Sequence, residues 1–276
     1  MDLARARSLL FVPANRPERF AKALAAGADA VIVDLEDAVP PDAKAAARAA
    51  LRVGWPMLRA SPVPVVVRIN PVNTPDGQHD LSLLAQLPGL RGVMVPKSES
   101  GALLAKVSDA LPGVPMLALV ETAAGCANLA DVAAAPGVLR LVVGHIDFVA
   151  DLGLQCSDDE RELAPLRFAV AVQTRVNGLA AAVDGVTLAI DDEQRLLTDT
   201  RRALAFGFGG KLCIHPRQVA RVHEALAPTP EQLGWARRVV AADAAAGGAA
   251  VMLDGRMVDR PVVLQARRVL ERAGPP

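Results

Sequence analysis

The stretch AVIVDLEDAVPPDAK, residues 30–44, runs four apolar residues into Asp34, Glu36 and Asp37 and then breaks at Pro40 and Pro41. An apolar run without polar alternation is the pattern of a strand covered on both faces, as in a parallel sheet with helices outside. PDAKAAARAAL then opens with proline and aspartate and continues in helix formers, which suits a helix start.

The same unit recurs along the chain. SLLFVP (8–13), AVIVDLED (30–37), VPVVVRIN (63–70), GVMVPKS (92–98), PMLALVET (115–122), LRLVVGHID (139–147), AAVDGVT (181–187) and GKLCIHP (210–216) offer eight strands. Alanine-rich stretches of helical period separate them, PERFAKALAAG and SGALLAKVSDAL among them. Strand-then-helix repeated eight times predicts a (β/α)8 TIM barrel, with a doubly wound open sheet as the alternative. The barrel core is expected over 1–216. Residues 217–276 are then the last barrel helix and a C-terminal extension: two helical stretches, a hairpin turning at Asp254-Gly255, and a final helix. An appendix of this kind is either a helical clamp or an arm that contacts a neighbouring subunit.

Composition narrows the function. Thirty basic residues balance thirty acidic ones, and no Lys/Arg block tracks a phosphate backbone, which argues against nucleic acid. No apolar run is long enough for a membrane span, and MDLARARSLLFVPA is too short in its apolar part for a signal peptide, so a cytoplasmic protein is expected. Cys126, Cys156 and Cys213 are odd in number and far apart, the pattern of reduced thiols rather than of a disulfide framework.

A barrel of this kind gathers chemistry at the C-terminal ends of its strands. Here those ends carry Asp34, Glu36 and Asp37; Arg68 and Asn70; Lys97; Glu121; His145 and Asp147; and His215. Five carboxylates against Arg68 and Lys97 leave an acidic excess that a hard divalent cation would neutralise. Glu121 and Asp147, on adjacent strands, are the natural ligand pair for Mg²⁺. Zinc fits less well, since His145 and His215 lack close helical spacing, and both read as structural or supporting histidines. Strand alternation should turn Glu36 to one face and its neighbours to the other. On that basis Glu36 or Asp37 holds metal-bound water or orients Arg68, and Asp34 is structural.

RSLLFVPANRPERFAKA, DLEDAV, VRIN, VPK, ETAAG, GHIDFVADLG and GKLCIHPRQV, in this order, resemble the citrate lyase β-subunit (CitE-like) branch of the HpcH/HpaI aldolase superfamily across almost the whole chain. The resemblance implies a (β/α)8 barrel, usually a homotrimer, that uses Mg²⁺ to break or form a carbon–carbon bond between a CoA thioester and a 2-oxo acid. Citryl-CoA, malyl-CoA and citramalyl-CoA are the substrates it suggests. It makes Glu121 and Asp147 metal ligands, Arg68 a substrate-contacting cation, and Asp259 of GRMVDRP an acid/base that enters a neighbour's active site. Arg16, Arg19 and Lys22 after strand one, and Lys97, are candidates for CoA phosphates. No Gly-rich dinucleotide fingerprint is present. The alternatives are a CoA-independent aldolase, a malate or citramalate synthase that also hydrolyses the thioester, and a non-catalytic acyl-thioester-binding subunit working with citrate lyase complex partners.

Overall fold

The computed structural model describes residues 2–273. Eight parallel strands close on themselves in sequence order: β1 (Ser8–Pro13), β2 (Ala30–Asp34), β3 (Val65–Arg68), β4 (Val93–Val95), β5 (Met116–Val120), β6 (Val138–Val143), β7 (Val183–Asp184) and β8 (Gly210–Cys213). Closure is by β8 on β1, with Ser8 opposite Lys211 and Leu10 opposite Cys213. The fold is a TIM barrel.

The continuous apolar runs have the burial that their composition implies. Every residue of β2, β3, β4 and β5 is buried. One side of each strand fills the interior, where Leu9, Ile32, Val66, Met94, Leu119, Val142 and Leu212 pack together. The other side is covered by helices. The helix Lys44–Ala60 shows how: Ala47, Leu51, Trp55 and Leu58, spaced three to four residues apart, are its buried face.

The strands are shorter than the apolar runs suggest. β2 stops at Asp34, because the Asp34 carboxylate accepts the backbone N–H of Glu36 and of Ala38 and turns the chain. The alternation expected for Glu36 therefore does not apply, since the residue lies in a turn. β6 likewise ends at Val143, and His145 and Asp147 open the helix His145–Leu152 instead of closing a strand. Only two residues of the run at 181–187 join the sheet.

The N-terminal end of the barrel is closed by a charge. Arg140, fully buried on β6, donates to the carbonyls of Leu3, Ala6 and Ala181. Its pKa is pulled down to about 10 by burial. Among the described residues no carboxylate hydrogen-bonds to it; backbone dipoles do the solvation.

The chain divides into two compact units, the first ending at His223 and the second beginning at Glu224, inside the helix Pro216–Leu226. In the second unit the helix Pro230–Ala245 starts from a capping box between Thr229 and Gln232. It is followed by the antiparallel hairpin β9 (Val251–Leu253) and β10 (Arg256–Val258) and by the helix Arg260–Ala273. Asp254 and Gly255 both have positive φ, 49° and 74°, as a two-residue hairpin turn requires. Ala236, Val239, Val258, Val263 and Ala266 form this unit's own core. Among the described residues no helix is long and apolar enough to cross a membrane.

Candidate active site

The polar mouth continues the barrel interior. Side chains two positions apart on a strand share a face, so the residues two beyond Leu9, Ile32, Val66, Leu119 and Val142 extend the inward rows at the C-terminal end. They are Phe11, Asp34, Arg68, Glu121 and Gly144. The rows of β2, β3 and β5 thus change from packing to charge within one step of the pleat.

Arg68 is the most constrained of these groups. Its Nε and Nη2 donate to the two oxygens of Asp34 at 2.7 and 2.6 Å, a bidentate fork, and its guanidinium lies 4.8 Å from the Phe11 ring centroid. Asp34, expected to be structural, is therefore the group that orients Arg68. Nη1 stands 2.8 Å from Glu36 Oε2, off the hydrogen-bonding direction, and Oε2 has no hydrogen-bond partner. Asp37 is largely exposed and reaches Nη1 only at 3.5 Å. Lys44 Nζ ties down the turn from below by donating to the carbonyls of Leu35 and Glu36. Asn70 sits beneath the same turn, with its amide on Leu35 O and Asp80.

Glu121 follows β5 and accepts the backbone N–H of Lys97 at Oε1, 2.8 Å away. Lys97 holds a left-handed φ of 45° to present that N–H, a strained backbone for a residue other than glycine. Its ammonium meets Glu36 Oε1 at 3.3 Å. Gly144 gives Glu121 its room: a Cβ there would lie 2.6 Å from both Cβ and Oε2 of Glu121. Asp147 is half-buried in the first turn of the helix His145–Leu152. One turn further on, Asp151 accepts the backbone N–H of Ala123 at 2.7 Å, which struts the helix carrying Asp147 against the start of the segment after Glu121.

Electrostatically the two glutamates are frustrated. Burial pushes the Glu121 carboxyl up to about 8, with the negative charges of Glu36 and Asp147 adding to it and the Lys97 N–H opposing. Burial also raises Glu36, to about 7, against the pull of Arg68. Burial works against the Lys97 charge as well, yet Glu36 and Glu121 hold its pKa above the ordinary value. An all-oxygen donor set of this kind, including the unpartnered Glu36 Oε2, fits a hard divalent cation. Among the described residues no three His, Cys, Asp or Glu side chains converge closely enough to hold a metal by themselves. That suits a Mg²⁺-type site, in which one or two carboxylates are completed by water and substrate.

A family model described as HpcH/HpaI aldolase/citrate lyase matches residues 7–216. The chain belongs to this family. A citrate lyase subunit beta-like protein of Deinococcus radiodurans is 40% identical over 275 residues, spanning 96% of each chain. A (3S)-malyl-CoA thioesterase of Cereibacter sphaeroides is 32% identical, over 97% of this chain and 94% of its own. The crystal structure of CitE from Mycobacterium tuberculosis in complex with magnesium, acetoacetate and coenzyme A superposes with a TM-score of 0.85 at 40% identity, covering 99% of this chain and 100% of that one.

The mouth of this HpcH/HpaI-family barrel has a second half, which the sequence reading passed over. Asp184 ends β7 fully buried and accepts Arg167 Nε at 3.1 Å. Glu160, in a left-handed turn with φ 48°, receives Arg167, Arg195 and Arg202 at 2.7 to 2.9 Å. Its carboxyl is held below the ordinary value, although burial opposes this, by the Arg167 hydrogen bond and the surrounding positive charges. His145 is buried with Nδ1 unpartnered, packed where a Cβ on Gly185 would collide with it. Burial lowers its pKa. Only Asp184 carried a sequence signal, as a polar strand end in AAVDGV; the arginines lie at unremarkable helix positions.

The remaining candidates have other local settings. Arg16, Arg19 and Lys22 are exposed on the segment and short helix after β1, and Arg16 is paired with Glu18 at 2.6 Å. His215 is half-buried after β8, where its Nδ1 accepts the N–H of Arg217. Asp259 belongs to the second unit, immediately before the last helix, whose Val262 N–H it accepts at 3.3 Å. Of the three cysteines, Cys213 is buried and Cys126 and Cys156 partly so, and all are free thiols.

Proposed function

We propose that the chain is a Mg²⁺-dependent carbon–carbon lyase that cleaves a 3-hydroxyacyl-CoA of the citryl-, malyl- or citramalyl-CoA kind into acetyl-CoA and a 2-oxo acid. The observation that carries this reading is the arginine fork locked by Asp34 together with the acidic group of Glu36, Glu121 and Asp147, which follow the C-terminal ends of β2, β5 and β6. A fixed cation and an oxygen-donor pair are what such a reaction needs, because negative charge moves from an alkoxide to a thioester enolate as the bond breaks. Kinship with citrate lyase subunit beta-like proteins, and with a structure containing magnesium and coenzyme A, supports it.

Glu121 and Asp147 would hold the ion. When bound, Mg²⁺ supplies Lewis-acid polarisation of the oxo-acid half. Glu36 Oε2 accepts a hydrogen bond from the substrate hydroxyl or from water. Arg68, unable to swing because Asp34 grips two of its donors, presents its Nη1 edge to the enolate oxygen or to a substrate carboxylate. Asp259, supplied by a neighbouring copy in a homotrimer, protonates the acetyl carbanion in cleavage and removes the methyl proton in condensation. Arg16, Arg19 and Lys22 meet CoA phosphates, with Arg16 exchanging Glu18 for the ligand.

The malyl-CoA thioesterase relative favours one second reading, in which water also attacks the thioester. A single assay separates the two. The purified chain, stripped with EDTA and reconstituted with Mg²⁺, is given a panel of 3-hydroxyacyl-CoA thioesters and the corresponding free hydroxy acids. Lyase action releases oxo acid without free thiol, thioesterase action releases thiol, and a CoA-independent aldolase turns over the free acids. A chain inactive on all of them, with Mg²⁺ bound, would refute the enzymatic reading in favour of a binding subunit.

A further inference from the structure

We propose that Lys97 is the resident counter-ion of the metal-free site and becomes an anion-contacting residue once the cation is bound. The inference deepens the reading above and rests on Glu121 and Asp147 holding a divalent ion.

Three observations on one residue carry it. The root of Lys97 is fixed: its left-handed backbone and its N–H on Glu121 Oε1 hold the Cα at the mouth. The head is loosely held, since among the described residues the ammonium has one hydrogen-bond partner, Glu36 Oε1, at 3.3 Å, longer than a charge-assisted hydrogen bond of good geometry. Its side chain is 41% exposed, whereas that of Glu36 is 4% exposed. The lysine therefore sits at the boundary between the carboxylate cluster and solvent, on a flexible four-carbon stem.

Glycine would adopt this backbone without strain and donate the same N–H, so the strain is tolerated for the sake of the side chain. Glu36 and Glu121 are both buried and both meet Lys97, and of the two it is Glu36 that Arg68 approaches, with Nη1 at 2.8 Å, because Asp34 holds the rest of its fork. The Lys97 ammonium supplies the next positive charge. A divalent cation at Glu121 and Asp147 brings a larger charge to the same carboxylates and repels the ammonium. Glu36 keeps Arg68 Nη1 at 2.8 Å, so it can release Lys97 without being left uncompensated. The freed amine, pivoting on a fixed Cα at the mouth, then meets an anionic oxygen of the ligand, either the oxo-acid carboxylate or a CoA phosphate. Metal and anionic ligand thereby favour each other's binding through one side chain.

The test is calorimetric and needs no turnover. Metal-free protein is titrated with Mg²⁺ for the unsubstituted chain, Lys97→Met, Lys97→Arg and Lys97→Gly, the last keeping the positive φ and the N–H without strain. If the ammonium competes with the ion, Lys97→Met and Lys97→Gly bind Mg²⁺ about fivefold more tightly than the unsubstituted chain, and Lys97→Arg restores its value. Pyruvate and CoA are then titrated separately into the Mg²⁺-saturated proteins. Weaker binding of pyruvate in Lys97→Met assigns the amine to the carboxylate, and weaker binding of CoA assigns it to a phosphate. Unchanged or weaker Mg²⁺ affinity in both charge-removing variants overturns the proposal, as does undiminished binding of both anions. A Glu121→Gln chain that binds Mg²⁺ as well as the unsubstituted one would instead sink the cation reading itself.

Discussion

Adding one methyl group at Gly144 tests the geometry of the mouth more sharply than deleting any of its charges. The Gly144 φ is −102°, which does not demand glycine; the space does. The Cβ of an alanine would fall 2.6 Å from Glu121 Cβ and Oε2 and 3.2 Å from Leu119 Cδ1. An ordinary contact is about 3.6 Å, so Glu121 must retreat by about 1 Å, and a displacement of that size in a catalytic constellation costs about a hundredfold in rate. That corresponds to about 2.7 kcal/mol of transition-state stabilisation. The same overpacking costs the fold about 1–3 kcal/mol, or a Tm fall of roughly 2–6 °C in a chain of this size. Gly144→Ala should therefore stay folded while losing Mg²⁺ affinity by calorimetry and about two orders of magnitude in kcat/KM. Retention of both within twofold would show that the position of Glu121 does not matter to the chemistry, and the site would have to be drawn without it.

Three further perturbations address other parts of the molecule. Asp34→Asn leaves Arg68 one hydrogen-bond acceptor in place of a charged fork; turnover should fall by more than tenfold with Mg²⁺ affinity nearly unchanged, and an unaltered kcat would show that Arg68 needs no such anchor. Asp259→Asn should abolish turnover while calorimetry still finds the ion bound, and loss of metal affinity in that variant would remove Asp259 from its acid/base role. Glu160 governs acid stability. Its carboxyl is depressed below the ordinary value of 4.5, so its contribution is fully present above that pH and is lost as the pH falls through the lower folded-state value. Glu160→Gln should lower Tm at pH 7 and flatten its decline below about pH 4.5; an unchanged slope would mean that the three arginines gain nothing from it.

Repetition made the barrel legible. Each apolar run reports burial on both faces, and eight of them separated by helical stretches leave few other ways to cover every strand. The ends of the runs were harder to read, because hydrophobicity does not say where hydrogen bonding stops. Asp34 illustrates this: its carboxylate ends β2 by capping the turn and also grips Arg68, two tasks set by a conformation that the letters DLED do not display. Glu121 and Asp147 were singled out from charge balance across strand ends, a local property. Lys44, Gly144, Asp151 and Glu160 are not marked in this way, since each acts on residues outside its own element and none breaks the local pattern around it. Gly144 was visible only as the first letter of GHIDF, with no sign that the constraint on it comes from a glutamate one strand away.

The arginine at the base of the barrel has a practical consequence. Because Arg140 clasps the carbonyls of Leu3 and Ala6, the chain enters the fold at the end of the strands opposite Glu121 and Arg68. An affinity handle or fluorescent partner fused ahead of residue 2 would therefore project away from the barrel end that carries Glu121 and Arg68, which makes the N-terminus the sensible place for immobilisation in the binding experiments.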